Sequence, residues 1–166
     1  MGFQVDIQNQ GEPPYPVDAN RLEQAAGAVL AGHDVHPDSG LTVVIADNEF
    51  VRSLNQQYRG VDSPTDVLSF PADEPPVDTD DEPPYLGDLI IAFPYASAQA
   101  ERENHNLGDS LALLVVHGTL HLLGYDHDTA ENRAEMWAAQ EDALRALNIP
   151  LDIVPALEVA PHDDSA

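Results

Sequence analysis

The chain contains no cysteine, so neither a disulfide framework nor thiolate ligation of a metal is open to it. It contains no lysine either. Six arginines stand against 30 acidic residues, for a net charge of −24. Broad electrostatic attraction to nucleic acid, which comes from many Lys and Arg neutralising phosphates, is thereby excluded. Any contact with phosphates must be local and rest on very few arginines. No apolar run approaches the roughly 20 residues that cross a bilayer, and the N-terminus lacks the basic-then-apolar order of a secretory signal. The expectation is a soluble, cytoplasmic protein without internal repeats. Its 166 residues suit one domain with a sizeable core.

The acid is unevenly spread. Residues 73–82 hold six acidic residues and two prolines, and the stretch from Asp152 adds four more acidic residues. This pattern predicts a single domain over 1–150, interrupted by an acidic Pro-rich loop at 73–84, then a flexible acidic tail at 151–166.

Histidine is concentrated. Three of seven fall within His117-Gly118-Thr119-Leu120-His121-Leu122-Leu123-Gly124-Tyr125-Asp126-His127, in the pattern H-x3-H-x5-H. Residues four apart on a helix share a face, so the imidazoles of His117 and His121 can converge on one ion. Gly124 follows where a helix often ends, because glycine tolerates positive φ. The chain can turn there and bring His127 back. Three neutral imidazoles with a free fourth position describe a catalytic zinc site rather than a closed structural one, although nickel and copper also suit imidazole. Asp126 can orient a ring N–H or simply serve the turn. The segment Ser110 to Leu123 is otherwise apolar almost all round, the mark of a buried helix.

The spacing is also that of H-E-x-x-H-x-x-G-x-x-H, the metzincin protease signature, whose glutamate is the general base. Here that position is Gly118, which has no group to take a proton. A metzincin-like metalloprotease keeps its metal but loses its base.

Alternation and helical periodicity predict the order βαβαββααα. Strands are expected at Phe3 to Ile7, Leu41 to Ala46, Thr65 to Phe70 and Leu86 to Phe93. Asp18 caps a helix to Ala31 that buries Leu22, Ala25, Ala26, Val29 and Leu30. Asp47 or Asn48 caps one to Tyr58 with Phe50, Val51, Leu54 and Tyr58 inward. Pro94 opens a helix to Asn104, the histidine helix follows, and Asp128 with Glu131 forms a capping box for a last helix to Leu147. The fold class is α+β: a mixed four-stranded sheet packed against helices, with a central, zincin-like metal helix.

HGTLHLLGYDH resembles the signature of the YbeY family, bacterial metal-dependent endoribonucleases of ribosomal RNA maturation. Tyr58-Arg59-Gly60-Val61-Asp62-Ser63-Pro64-Thr65-Asp66-Val67-Leu68-Ser69-Phe70-Pro71 resembles that family's other characteristic stretch, and Gly87-Asp88-Leu89-Ile90-Ile91 its next strand. The likeness covers residues 3 to 150. It implies metal ligands at His117, His121 and His127, a functional Arg59, one zinc ion, and as partners single-stranded ribosomal RNA and the small ribosomal subunit. Two rivals stand beside this endoribonuclease: a ribosome-assembly factor with a structural metal, and the protease that Gly118 opposes.

Other candidates are weaker. Arg52, Gln56 and Arg59 recur on one helix face and could track a phosphate backbone, although a solvated face suits Arg52 better. His33, His36, His105 and His162 read as exposed bystanders. Asp66 and Asp88 begin strands, where they could act as a base, support a ligand or cap. Tyr15, Tyr85 and Tyr95 are too scattered for a base-stacking platform.

Overall fold

Short polar side chains start most of the helices by accepting a backbone N–H three residues ahead. Asp18 accepts from Arg21, Asp47 from Phe50, Asn106 from Asp109 and Thr129 from Asn132. The computed structural model, which describes residues 3–33, 35–72 and 84–153, contains β1 (Gln4–Asn9), α1 (Ala19–Ala31), β2 (Gly40–Ala46), α2 (Asn48–Arg59), β3 (Val67–Pro71), β4 (Tyr85–Ala92), α3 (Phe93–Glu103), α4 (Leu107–Leu122) and α5 (Ala130–Ala146). The element order is the expected one. So is the class: one mixed four-stranded sheet with helices.

The strands lie in the order β1-β2-β4-β3. β1, β2 and β4 are mutually parallel and β3 is antiparallel to β4. Parallel neighbours need crossovers, and the helices supply them. Alternation then sorts the core. Leu41, Val43, Ile45, Leu89 and Ile91 face α1, α4 and α5, together with the buried Leu22, Leu30, Leu120, Met136 and Leu144. Val44, Ala46, Leu68, Ile90 and Ala92 face the opposite way, against Val51 of α2. The sheet is therefore covered on both sides, which accounts for the near-continuous apolar runs of β2 and β4.

Gly118 explains how close α4 lies to the sheet. A Cβ there would come within 2.8 Å of Leu89 Cδ2. The position that carries the glutamate of a protease thus faces the sheet, where any side chain would have to displace Leu89.

Four expectations need correction. Phe50 and Tyr58 do not point inward: they are 39% and 61% exposed, while Val51 and Asn55 are the buried residues of α2. Asn55 fills its site by donating Nδ2 to the Ser63 carbonyl, 2.8 Å away. The last helix begins behind Thr129, whose hydroxyl is the cap, and Asp128 instead accepts from the Asn132 side chain. The packed chain also continues past residue 150. Leu151–Ile153 form a 3-10 turn that buries Ile153. Residues 73–83 of the expected acidic loop and 154–166 of the expected tail lie outside the described residues.

Candidate metal centre

The end of α4 builds the site. His117 and His121 are one turn apart, and the chain then leaves the helix through Gly124 at φ 102°. Gly124 N–H bonds the His121 carbonyl and Tyr125 N–H reaches back to Leu120, both at 3.0 Å. This is a Schellman ending, which requires the left-handed residue that glycine supplies. It returns His127 to the other two imidazoles, as the sequence led one to expect.

One ligand nitrogen from each of His117, His121 and His127 lies within 4.8 Å of the others. The ring centroids are 4.7, 5.2 and 5.4 Å apart. Three nitrogens about 2.0–2.1 Å from a tetrahedral zinc sit about 3.3 Å apart, so inward shifts of under about 1 Å per ring would seat an ion. Two of the rings are already oriented. His117 Nδ1 is 3.0 Å from Gln140 Oε1, and His121 Nδ1 is 3.0 Å from the Tyr125 carbonyl. Both partners are acceptors, so each Nδ1 carries the proton and each Nε2 keeps its lone pair. Trp137 stands perpendicular to His117 and His127, with centroids 5.9 and 5.8 Å away. The donor set fits a divalent ion.

Neither Gln140 nor Trp137 was found from the sequence. The available signal was a glutamine one turn beyond Met136 on the buried side of α5, where it is fully enclosed. Removing such an orienting partner typically costs about 10–100-fold in metal affinity. Gln140→Leu is therefore expected to weaken metal binding by that factor, and Gln140→Glu, which keeps an acceptor oxygen, to restore most of it. Competition against a chelator measures both. Equal affinities in wild type and Gln140→Leu would remove the orienting role.

A cleft of about 550 Å³ opens beside the histidines, lined by Tyr58, Arg59, Val67–Pro71, His117, His121 and Gly124–Asp126. Its position follows from the fold. α2 and α4 cover opposite faces of the sheet, so a cleft touched by both lies beyond the edge strand β3. Arg59, the last residue of α2 before the left-handed Gly60, is the one arginine that lines it among the described residues. The structure thus brings Arg59 together with His117 and His121.

The other candidates separate. Arg52 is held by Asp62, with Nε–Oδ1 at 2.7 Å and Nη2–Oδ2 at 3.2 Å. That ion pair raises its pKa, and Arg52 does not line the cleft. Gln56 is exposed. Buried Asp66 accepts the Val67 N–H at 2.7 Å and Asp88 accepts the Tyr85 hydroxyl; neither lines the cleft. Asp126 lines the cleft and accepts the His127 backbone N–H at 2.8 Å, which is the turn role. His33 is no bystander. Its Nδ1 lies 2.7 Å from the Val29 carbonyl and its Nε2 2.9 Å from the Tyr125 hydroxyl, tying α1 to the metal loop. His36 is exposed and His105 half-buried, whereas His162 lies outside the described residues.

The comparisons agree with this geometry. The model of a family described as Endoribonuclease YbeY matches residues 6–148. The Endoribonuclease YbeY of Roseiflexus castenholzii is 43% identical over 152 residues, covering 87% of this chain and 93% of that protein. The one from Moorella thermoacetica is 42% identical over 158 residues, covering 89% and 99%. Among solved structures, the solution structure of TM1509 from Thermotoga maritima superposes with a TM-score of 0.60 at 26% identity, over 96% of this chain and 99% of that one. With a family model spanning most of its length and relatives above 40% identity, the chain belongs to the YbeY endoribonuclease family.

Proposed function

We propose that this chain is a metal-dependent endoribonuclease that cuts single-stranded RNA during ribosomal RNA maturation and small-subunit quality control in the cytoplasm. The observation that carries the reading is a cluster of three imidazoles, two of which, His117 and His121, line one cleft at the sheet edge together with Arg59. His117, His121 and His127 would hold one ion, with zinc the metal best matched to three neutral imidazoles and an open position. When bound, such an ion supplies Lewis acidity, lowering the pKa of a water to about 7 and stabilising charge on an attacked phosphate. The chain's own groups do the rest. Gln140 and the Tyr125 carbonyl hold two rings with Nε2 inward. Arg59 presents a planar fork of donors that suits a non-bridging phosphate oxygen pair.

The protease alternative meets two obstacles. Gly118 offers no base and faces Leu89. The edge of β3 also cannot take an extended peptide in the usual way. Ala92 N–H bonds the Asp66 carbonyl and Ala72 N–H the Leu86 carbonyl, so the even-numbered residues of β3 bond to β4 and the backbone groups of Val67, Ser69 and Pro71 point away from β4. Val67 N–H is taken by the Asp66 carboxylate and Pro71 has none, which leaves Ser69 alone with a donor. A structural-metal assembly factor would need no cleft beside its ion. Purified, metal-loaded protein is expected to cleave a single-stranded RNA, to spare the same sequence in a duplex, and to leave casein intact. Casein cleavage that disappears in His121→Ala would reverse the ranking, and inactivity on every RNA would favour the assembly factor.

A further inference from the structure

Tyr58 was expected to pack inward, and the structure turns it out. The residue is 61% exposed, yet it lines the same cleft as Arg59, His117 and His121. A single exposed tyrosine is ordinary. This one is buttressed: Phe70 of β3 lies 5.3 Å away, centroid to centroid, with the rings inclined at 68°. That edge-to-face pair fixes the Tyr58 ring against β3 while most of its surface stays open. We propose that Tyr58, backed by Phe70, is a stacking platform that seats one unpaired nucleobase of the substrate beside the metal centre. The inference deepens the single-stranded RNA reading above and rests on it.

Three observations favour a base as the occupant. The first is charge. At −24, with Arg59 the one arginine lining the cleft among the described residues, phosphate attraction supplies little affinity. Stacking on an aromatic face needs no positive charge and tolerates any base sequence. The second is adjacency, because Tyr58 and Arg59 are consecutive residues at the end of α2. A strand whose phosphate meets Arg59 carries its neighbouring base past Tyr58. The third is the edge of β3, where Ser69 directs one N–H and one carbonyl outward. A single N–H donor beside outward carbonyls can meet the hydrogen-bonding edge of a base, whereas an added peptide strand needs several donors. The platform also gives a reason for strand selectivity. A base inside a duplex is stacked on both sides and has no face to offer.

The test uses metal-loaded protein mixed with a single-stranded RNA carrying the fluorescent base 2-aminopurine at successive positions. The fast fluorescence change is read by stopped flow before cleavage. Wild type is expected to quench the probe at one position, because quenching reports direct stacking. Tyr58→Leu, which keeps an apolar contact with Phe70, should lose that quench and weaken binding about 5- to 150-fold, the usual range for one stacked base. Its KM should rise more than its kcat falls, and its metal content should match wild type. Tyr58→Phe and Tyr58→Trp should retain the quench, since a ring suffices. Undiminished quenching and affinity in Tyr58→Leu would overturn the platform while leaving the ribonuclease reading intact. Failure of wild type to bind or cut any single strand would overturn both.

Discussion

Replacing His121 by alanine is expected to strip the protein of most of its bound metal and to abolish RNA cleavage while leaving the fold in place. His121 is the best of the three histidines for this test. His117 is 3% exposed and packed among Trp137, Gln140 and the other imidazoles, so truncating it leaves a cavity in the core. His121 is half-buried in the last turn of α4, where alanine is the strongest helix former. Loss of an orienting partner alone costs about 10–100-fold in metal affinity, and loss of a ligand exceeds that. Metal analysis of the purified variant should find far less than one ion per chain. Its far-ultraviolet circular dichroism should match that of the metal-free wild type. Full occupancy in the variant would mean that the ion, if any, lies elsewhere.

Arg59→Ala should produce the opposite combination: normal metal content with cleavage reduced about 10²–10³-fold, the usual cost of removing one group that stabilises developing charge. Arg59 is not a ligand, so metal analysis should not distinguish it from wild type. Arg59→Lys should recover only part of the rate, because a point charge lacks the two-pronged geometry of guanidinium. The same scarcity of positive charge sets the salt dependence. If one to three arginines touch phosphate, log affinity should fall against log salt with a slope of only about −0.7 to −2, using −0.7 per phosphate for single strands. Screening of the chain's general repulsion flattens it further. Near wild-type turnover in metal-loaded Arg59→Ala would make the arginine a bystander.

Most of the fold was legible because its signals are local. Asp18 and Asp47 stand ahead of apolar periodicity, and β2 is an apolar run rich in β-branched residues. The histidine cluster was legible for the same reason: its geometry depends on one helical turn and one left-handed glycine, all within eleven residues. What failed was long-range. The apolar periodicity of α2 implies a helix but not where the sheet beneath it stops. Its last turn overhangs the β3 edge, so Tyr58 meets the cleft instead of the core. Gln140 and His33 depend on contacts 23 and 92 residues away in sequence, to His117 and Tyr125, which no local pattern encodes. The capping error at Asp128 was one residue, as expected where two adjacent side chains can both serve.

The most direct test of the account follows bound metal and RNA cleavage in one titration. Metal-free wild type is supplied with increasing zinc, and occupancy and the rate on a single-stranded RNA are measured at each step. The account predicts that cleavage is absent without metal, rises in proportion to occupancy and saturates at one ion per chain. Cleavage that proceeds at full rate before metal is added, or that stays absent once one ion is bound, would contradict it.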